Sequence, residues 1–139
     1  VSDVRLTKRK VGARVRYWQK RLLLQDVRIT IVYGPAPADD EFTAACYASP
    51  EYNRAKLHFD LDKIKAAYEE EVKHRKVDFD DFLDEYVYHE LEHIPVWPLA
   101  KFAWDMAGDN PVLKEQAREK EEALVTYIER LIGALTQEK

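Results

Sequence analysis

Residues 89–93 read His-Glu-Leu-Glu-His and lie in a stretch, Phe79 to Ile94, whose apolar residues return at helical spacing. Two histidines four apart on a helix share a face, so both imidazoles can reach one metal ion while Glu90 stands beside it. On a wheel of about 100° per residue, His89 and His93 flank Phe82 and fall in the stripe that holds Phe79 and Tyr86. They point inward. A carboxylate buried between two buried imidazoles is costly unless a cation offsets it. The motif therefore demands a facing element that completes the coordination, since catalytic zinc usually takes three protein ligands and keeps one position open. Cys46 is the only cysteine, which excludes an internal disulfide and a Cys-based zinc site and suits a reducing cytoplasm. Any metal must be held by histidine and carboxylate.

The C-terminal segment, about Pro111 to Thr136, offers the third ligand. Its apolar face runs through Leu113, Ala117, Leu124, Val125, Ile128, Leu131, Ile132 and Leu135. Glu121 falls near the middle of that face, and Glu122 is turned by about 100° toward its edge. Glu121 is thus the expected ligand, with Glu122 as the fallback and pairing of Glu121 with an Arg or Lys as the alternative. Glu115 and Glu129 read as solvent-side. For His58 and His74, which stand alone, an ordinary structural role is the better expectation.

Around this pair the sequence predicts an α+β fold in one domain spanning residues 1–139. An amphipathic helix is expected from about Lys10 to Leu24. Strands follow at Val27–Tyr33, Phe42–Ala48 and Arg54–Leu61, the last with Ala55, Leu57, Phe59 and Leu61 alternating against Arg54, Lys56, His58 and Asp60. Gly34 to Asp40 reads as a loop and Ser49-Pro50-Glu51 as a turn. Ile64, Tyr68 and Val72 mark a further helix. Asp78 is expected to cap the motif helix, and Pro95 to end or kink it. Trp97, Phe102 and Trp104 then form an apolar run that reads as core or as a dimer contact.

The formal charge of −4 is unevenly spread, with Arg5, Lys8, Arg9, Lys10, Arg14, Arg16, Lys20 and Arg21 crowding the first part. A solvated helix face balancing an acidic body is favoured over nucleic-acid binding, because no recognised nucleic-acid motif accompanies those charges. No segment approaches the roughly 18 consecutive apolar residues of a membrane helix. Val1 with no apolar stretch behind it reads as a trimmed start rather than a signal peptide.

The pattern resembles the gluzincins, zinc peptidases in which His-Glu-x-x-His on one helix is completed by a Glu from a following helix. It is most similar to the compact minigluzincin type and to small metallopeptidases encoded by phages and prophages. The likeness runs from Trp18-Gln19-Lys20-Arg21-Leu22 and the strand Arg28-Ile29-Thr30-Ile31 through Tyr52-Asn53-Arg54-Ala55-Lys56-Leu57, His89 to His93 and Pro98-Leu99 to Glu121-Glu122-Ala123-Leu124-Val125. It implies a zincin-like fold: an N-terminal helix and a small twisted sheet of about three strands, with the motif helix and C-terminal helix packed on it. It further implies Zn2+ on His89, His93 and Glu121, and peptide-bond hydrolysis by a metal-bound water that Glu90 activates. A peptide or protein substrate would lie along the strand from Arg54. Tyr86, Tyr88 or Tyr127 would supply an oxyanion donor, with nothing to choose among them. Larger gluzincins place an Asp four residues after the ligand Glu, where this chain has Val125, so the groups that orient the histidines are unassigned. The rival reading is a catalytically restricted or inactive metal-binding phage or prophage interaction module.

Overall fold

The computed structural model describes residues 4–35, 42–49 and 53–137. The order is α1 (Val4–Arg21), β1 (Arg28–Tyr33), β2 (Ala44–Ser49), β3 (Arg54–Phe59), α2 (Leu61–Glu71), α3 (Phe79–Ala107) and α4 (Pro111–Gln137). This is an α+β arrangement of four helices and one three-stranded mixed sheet. Expected turns over Ala36 to Asp40 and at Pro50-Glu51 lie outside the described residues.

The sheet order is β1-β3-β2, with β1 parallel and β2 antiparallel to β3. The alternation of β3 buries Ala55, Leu57 and Phe59 against the helices and leaves Arg54 and Lys56 outside. Its pairing on both sides corrects one expectation. The strand from Arg54 is central and has no free edge, so it cannot align a substrate by main-chain pairing; β2 is the edge beside the motif helix. Asp60 then ends the strand and starts α2, its side chain accepting from Lys63 N at 3.1 Å.

Helix α1 lies on the same core through Val11, Val15 and Trp18. Gln19 closes the turn that follows it, its Nε2 donating to Leu24 O and Val27 O at 3.0 and 2.9 Å. Two side chains of the basic block reach acids of α3: Arg14 forks onto Asp84 through Nε (2.6 Å) and Nη2 (2.7 Å), and Lys10 meets Asp80 at 3.0 Å.

Helix α3 does not stop at Pro95. It continues through Pro95 and Pro98 to Ala107, although each proline removes a backbone donor and crowds the preceding turn, at a cost of about 3 kcal/mol in a helix interior. The offset comes from α4, where Val125 is fully buried against Val96 and Ala100. Gly108, at φ 59, turns the chain, and Asn110 Oδ1 accepts from Val112 N and Leu113 N to begin α4. The run divides: Trp97 is half-buried and packs on the small core of Val96, Ala100 and Val125, while Phe102 and Trp104 are exposed. No described helix is long and apolar enough to cross a membrane.

Candidate metal centre

Because α3 and α4 run antiparallel across Gly108, moving up one helix moves down the other, and each motif histidine meets its own stretch of α4. The Nδ1–H of His89 donates to Glu129 Oε2 at 2.7 Å, and that of His93 to Glu121 Oε2 at 2.7 Å. The two Nε2 atoms converge on one carboxylate, Glu122, at 3.4 Å from His89 and 3.3 Å from His93. Both are long hydrogen bonds, looser than the roughly 2.7–2.9 Å of a short charge-assisted pair. They run to different oxygens, Oε2 for His89 and Oε1 for His93, so the carboxylate spans both imidazoles. The ligand atoms of His89, His93 and Glu122 all lie within 4.8 Å of one another. By donor chemistry and spacing, these residues fit a zinc ion.

The α4 wheel placed Glu121 toward the site and Glu122 at its rim, and the structure brings both to the histidines on different nitrogens. Glu122 takes the convergent position and Glu121 ties back the far nitrogen of His93. Glu129, expected in solvent, does the same for His89 and is largely buried. The signal for it was present: Glu122 and Glu129 are seven apart, two helical turns, and share a face.

Charge within the cluster is lopsided, with Glu90, Glu121, Glu122 and Glu129 against two imidazoles. Hydrogen bonds to Glu122 and Glu129 hold the His89 pKa up at about 10. Burial pulls His93 down, but hydrogen bonds to Glu121 and Glu122 outweigh it and raise it to about 9. The same bonds to His89 and His93 draw Glu122 well below the usual carboxylate range. Protons thus occupy the place a cation would take. Glu90 is buried and accepts from neither histidine; desolvation, opposed by the charges of His89 and His93, lifts it to about 7.

A cleft of about 540 Å³ opens over these groups, lined by Ala44 to Ala48 of β2 on one side and by His89, Glu90, His93, Trp97, Arg118, Glu121 and Glu122 on the other. A second depression adjoins it past Glu90, sharing Phe42, Ala44, His89 and Glu90 and adding Tyr86 and Arg75. Together they make a groove along the sheet edge. Cys46 lines it, but burial and then the charges of Glu90 and Glu121 push its thiol well up, so it stands there as a neutral thiol. Tyr86 is the one expected oxyanion donor that borders the groove; Tyr88 packs on Trp18 with ring centroids 5.0 Å apart, and Tyr127 is exposed. His58 lies between Phe42 and Tyr47, and His74 is exposed beside Glu70. Neither joins the cluster.

No protein-family model, curated protein or solved structure matches this chain.

Proposed function

We propose that this chain is a zinc-dependent peptidase of zincin-like fold acting in a reducing cytoplasm, with the metal on His89 Nε2, His93 Nε2 and Glu122. The observation that carries the reading is the gathering of those three groups' ligand atoms within 4.8 Å of one another, with Glu90 buried alongside and uncommitted. Glu121 and Glu129 fix which nitrogen of each ring faces the metal, the orienting part that the resemblance left unassigned.

Zinc bound there would supply Lewis acidity toward a carbonyl and lower the pKa of a water it holds. Glu90, with a pKa near neutrality before any cation lowers it, would take the proton from the attacking water and pass it to the leaving amine. The β2 edge gives an extended peptide backbone partners across the groove, and Ala44, Ala45 and Ala48 leave room for its side chains. Tyr86, which lines the adjoining depression, would be the donor to a developing oxyanion.

Metal analysis of protein purified without added metal should give one zinc per chain in the wild type and none in His89→Ala. Glu90→Gln should keep the zinc and lose peptide cleavage by about 10²-fold or more. A stable wild type that purifies metal-free and takes up no zinc overturns the reading. Zinc retained with cleavage absent from the wild type would instead favour the interaction module.

A further inference from the structure

The face of the sheet turned away from the helices carries a pattern of its own. Alternation leaves Arg54, Lys56 and His58 of β3 on that side, and the strand register gives each a neighbour to left and right. Arg28 and Ser49 flank Arg54, Thr30 and Tyr47 flank Lys56, and Val32 and Ala45 flank His58. Registered neighbours point to the same side of a sheet, so these side chains form rows on one surface. The first two rows are exposed throughout. A depression of about 480 Å³ lies over them and reaches His58, lined also by Thr30, Tyr47, Ser49 and the β3 residues Arg54 to Lys56.

Charge and rings divide this surface between them. Arg28, Arg54 and Lys56 make the first two rows cationic, and no strand contains an Asp or Glu, in a chain whose net charge is −4. The basic block of α1 supplies none of these residues. The charge of Lys56 reaches His58, whose imidazole pKa is held below its ordinary value by burial first and by that charge second. Toward β2 the rings gather. His58 meets Tyr47 and Phe42 edge to face, with centroids 5.3 and 5.7 Å away, and Tyr47 is 47% exposed.

We propose that this face binds a single-stranded nucleic acid, with phosphates against Arg28, Arg54 and Lys56 and a base stacked on Tyr47. An open sheet face that sets cations beside an exposed ring suits a strand whose bases are unpaired, because phosphates answer the charge and every base has a flat side to stack. A duplex hides those flat sides and an acidic peptide has none, so each would use the cations alone. The surface measures about 10 Å across its three strands and about 20 Å along them, room for a few nucleotides. Its two parts leave separate signatures: counterions released from the phosphates make affinity fall with salt, whereas stacking adds affinity without that dependence. The inference does not rest on the zinc reading.

Fluorescence anisotropy of a labelled oligothymidylate, titrated with the full chain, tests both parts. The wild type should bind in the micromolar range at low salt, and log affinity against log salt should slope at about −2, the value for three phosphate contacts to a single strand. Lys56→Glu should weaken binding by about 10-fold or more and flatten that slope. Tyr47→Ala should weaken it by about 5-fold or more at an unchanged slope, and Tyr47→Phe, which keeps the ring, should bind as the wild type does. Arg9→Glu, exposed on α1, should leave affinity intact. A wild type that does not bind at low salt overturns the proposal. So does a loss in Arg9→Glu equal to that in Lys56→Glu, which would assign the binding to the helix. Tyr47→Ala binding as tightly as the wild type overturns it too, as does duplex DNA or oligoglutamate of equal charge matching the oligothymidylate, since the face would then be a cationic patch with no stacking site.

Discussion

The first half of α3, Phe79 to Ile94, buries Asp84, Glu90, Glu92 and His93, whereas the second half, Pro95 to Ala107, leaves Leu99, Phe102 and Met106 in solvent. One continuous helix thus hides charge at one end and shows oil at the other. Each half places residues against their solvation preference, which costs free energy unless something offsets it. In the first half partners are visible for Asp84, which has Arg14, and for the histidines, which have the carboxylates of α4, while burial raises the pKa of Glu90 and Glu92. In the second half only Val96, Ala100 and Val125, with Trp97 and Ile128 against them, form a thin satellite core. The histidine–carboxylate cluster lies where the helix is embedded, and the exposed apolar side chains where it is not.

The contrast breaks most directly by truncation. Leu91 is fully buried among the sheet and helices, so Leu91→Ala should cost about 2–5 kcal/mol. Leu99→Ala removes the same atoms from solvent and should change stability by within about 0.5 kcal/mol. Urea unfolding checks both. Equal losses would mean that the distal half is packed in solution as firmly as the proximal half.

The junction between the halves gives a smaller effect of opposite sign. Pro95 withholds the donor that would meet Leu91 O inside a continuous helix, so Pro95→Ala should raise stability by about 1–3 kcal/mol. A loss in the same unfolding assay would show that the proline belongs at a break.

That junction also shows what the sequence could and could not tell. The motif, the period-two pattern of β3 and the inward turn of both histidines were legible, because local periodicity alone sets them. The run of α3 through Pro95 was not, because packing against α4 outweighs local propensity there. The order of the sheet was hidden as well: nothing in Arg54 to Phe59 reveals that β1 and β2 pair on either side and leave β2 as the edge. At the site, a wheel fixes angle only to within tens of degrees, so it brought Glu121 and Glu122 to the right face without deciding which nitrogen each would meet. Glu129 was discounted by the same small rotation.

Because Glu121 and Glu129 each hold one Nδ1–H, Glu129→Gln and Glu121→Gln should each weaken zinc by about 10–100-fold. Glu122→Gln should weaken it further, and exposed Glu115→Gln not at all. Competition titration with a chelating dye measures all four. Should Glu121→Gln prove worse than Glu122→Gln, the two carboxylates would have to exchange roles, and the metal would sit on the other side of His93.

The mildest test uses pH alone and asks whether the proximal half is held together by protons when metal is absent. In metal-free protein His89 and His93 titrate at about 10 and about 9 in the fold, against 6.5 when free of it. Groups raised in this way contribute stability that is fully present below about 6.5 and lost as pH climbs through their folded values. Glu90 acts in the same direction, since burial raises it to about 7 and its ionisation costs more inside than in the unfolded chain. Glu122 is depressed, so its contribution is present above about 4.5 and fades only in stronger acid. Chelator-treated protein should therefore melt highest in mildly acidic solution, with Tm falling steadily toward pH 10. Zinc replaces those protons and binds more tightly as they leave, so saturated protein should not show the decline. A metal-free Tm that climbs between pH 7 and 10 would mean that the histidines and glutamates are not paired as the structure has them, and the buried charge of the proximal half would then lack its partners.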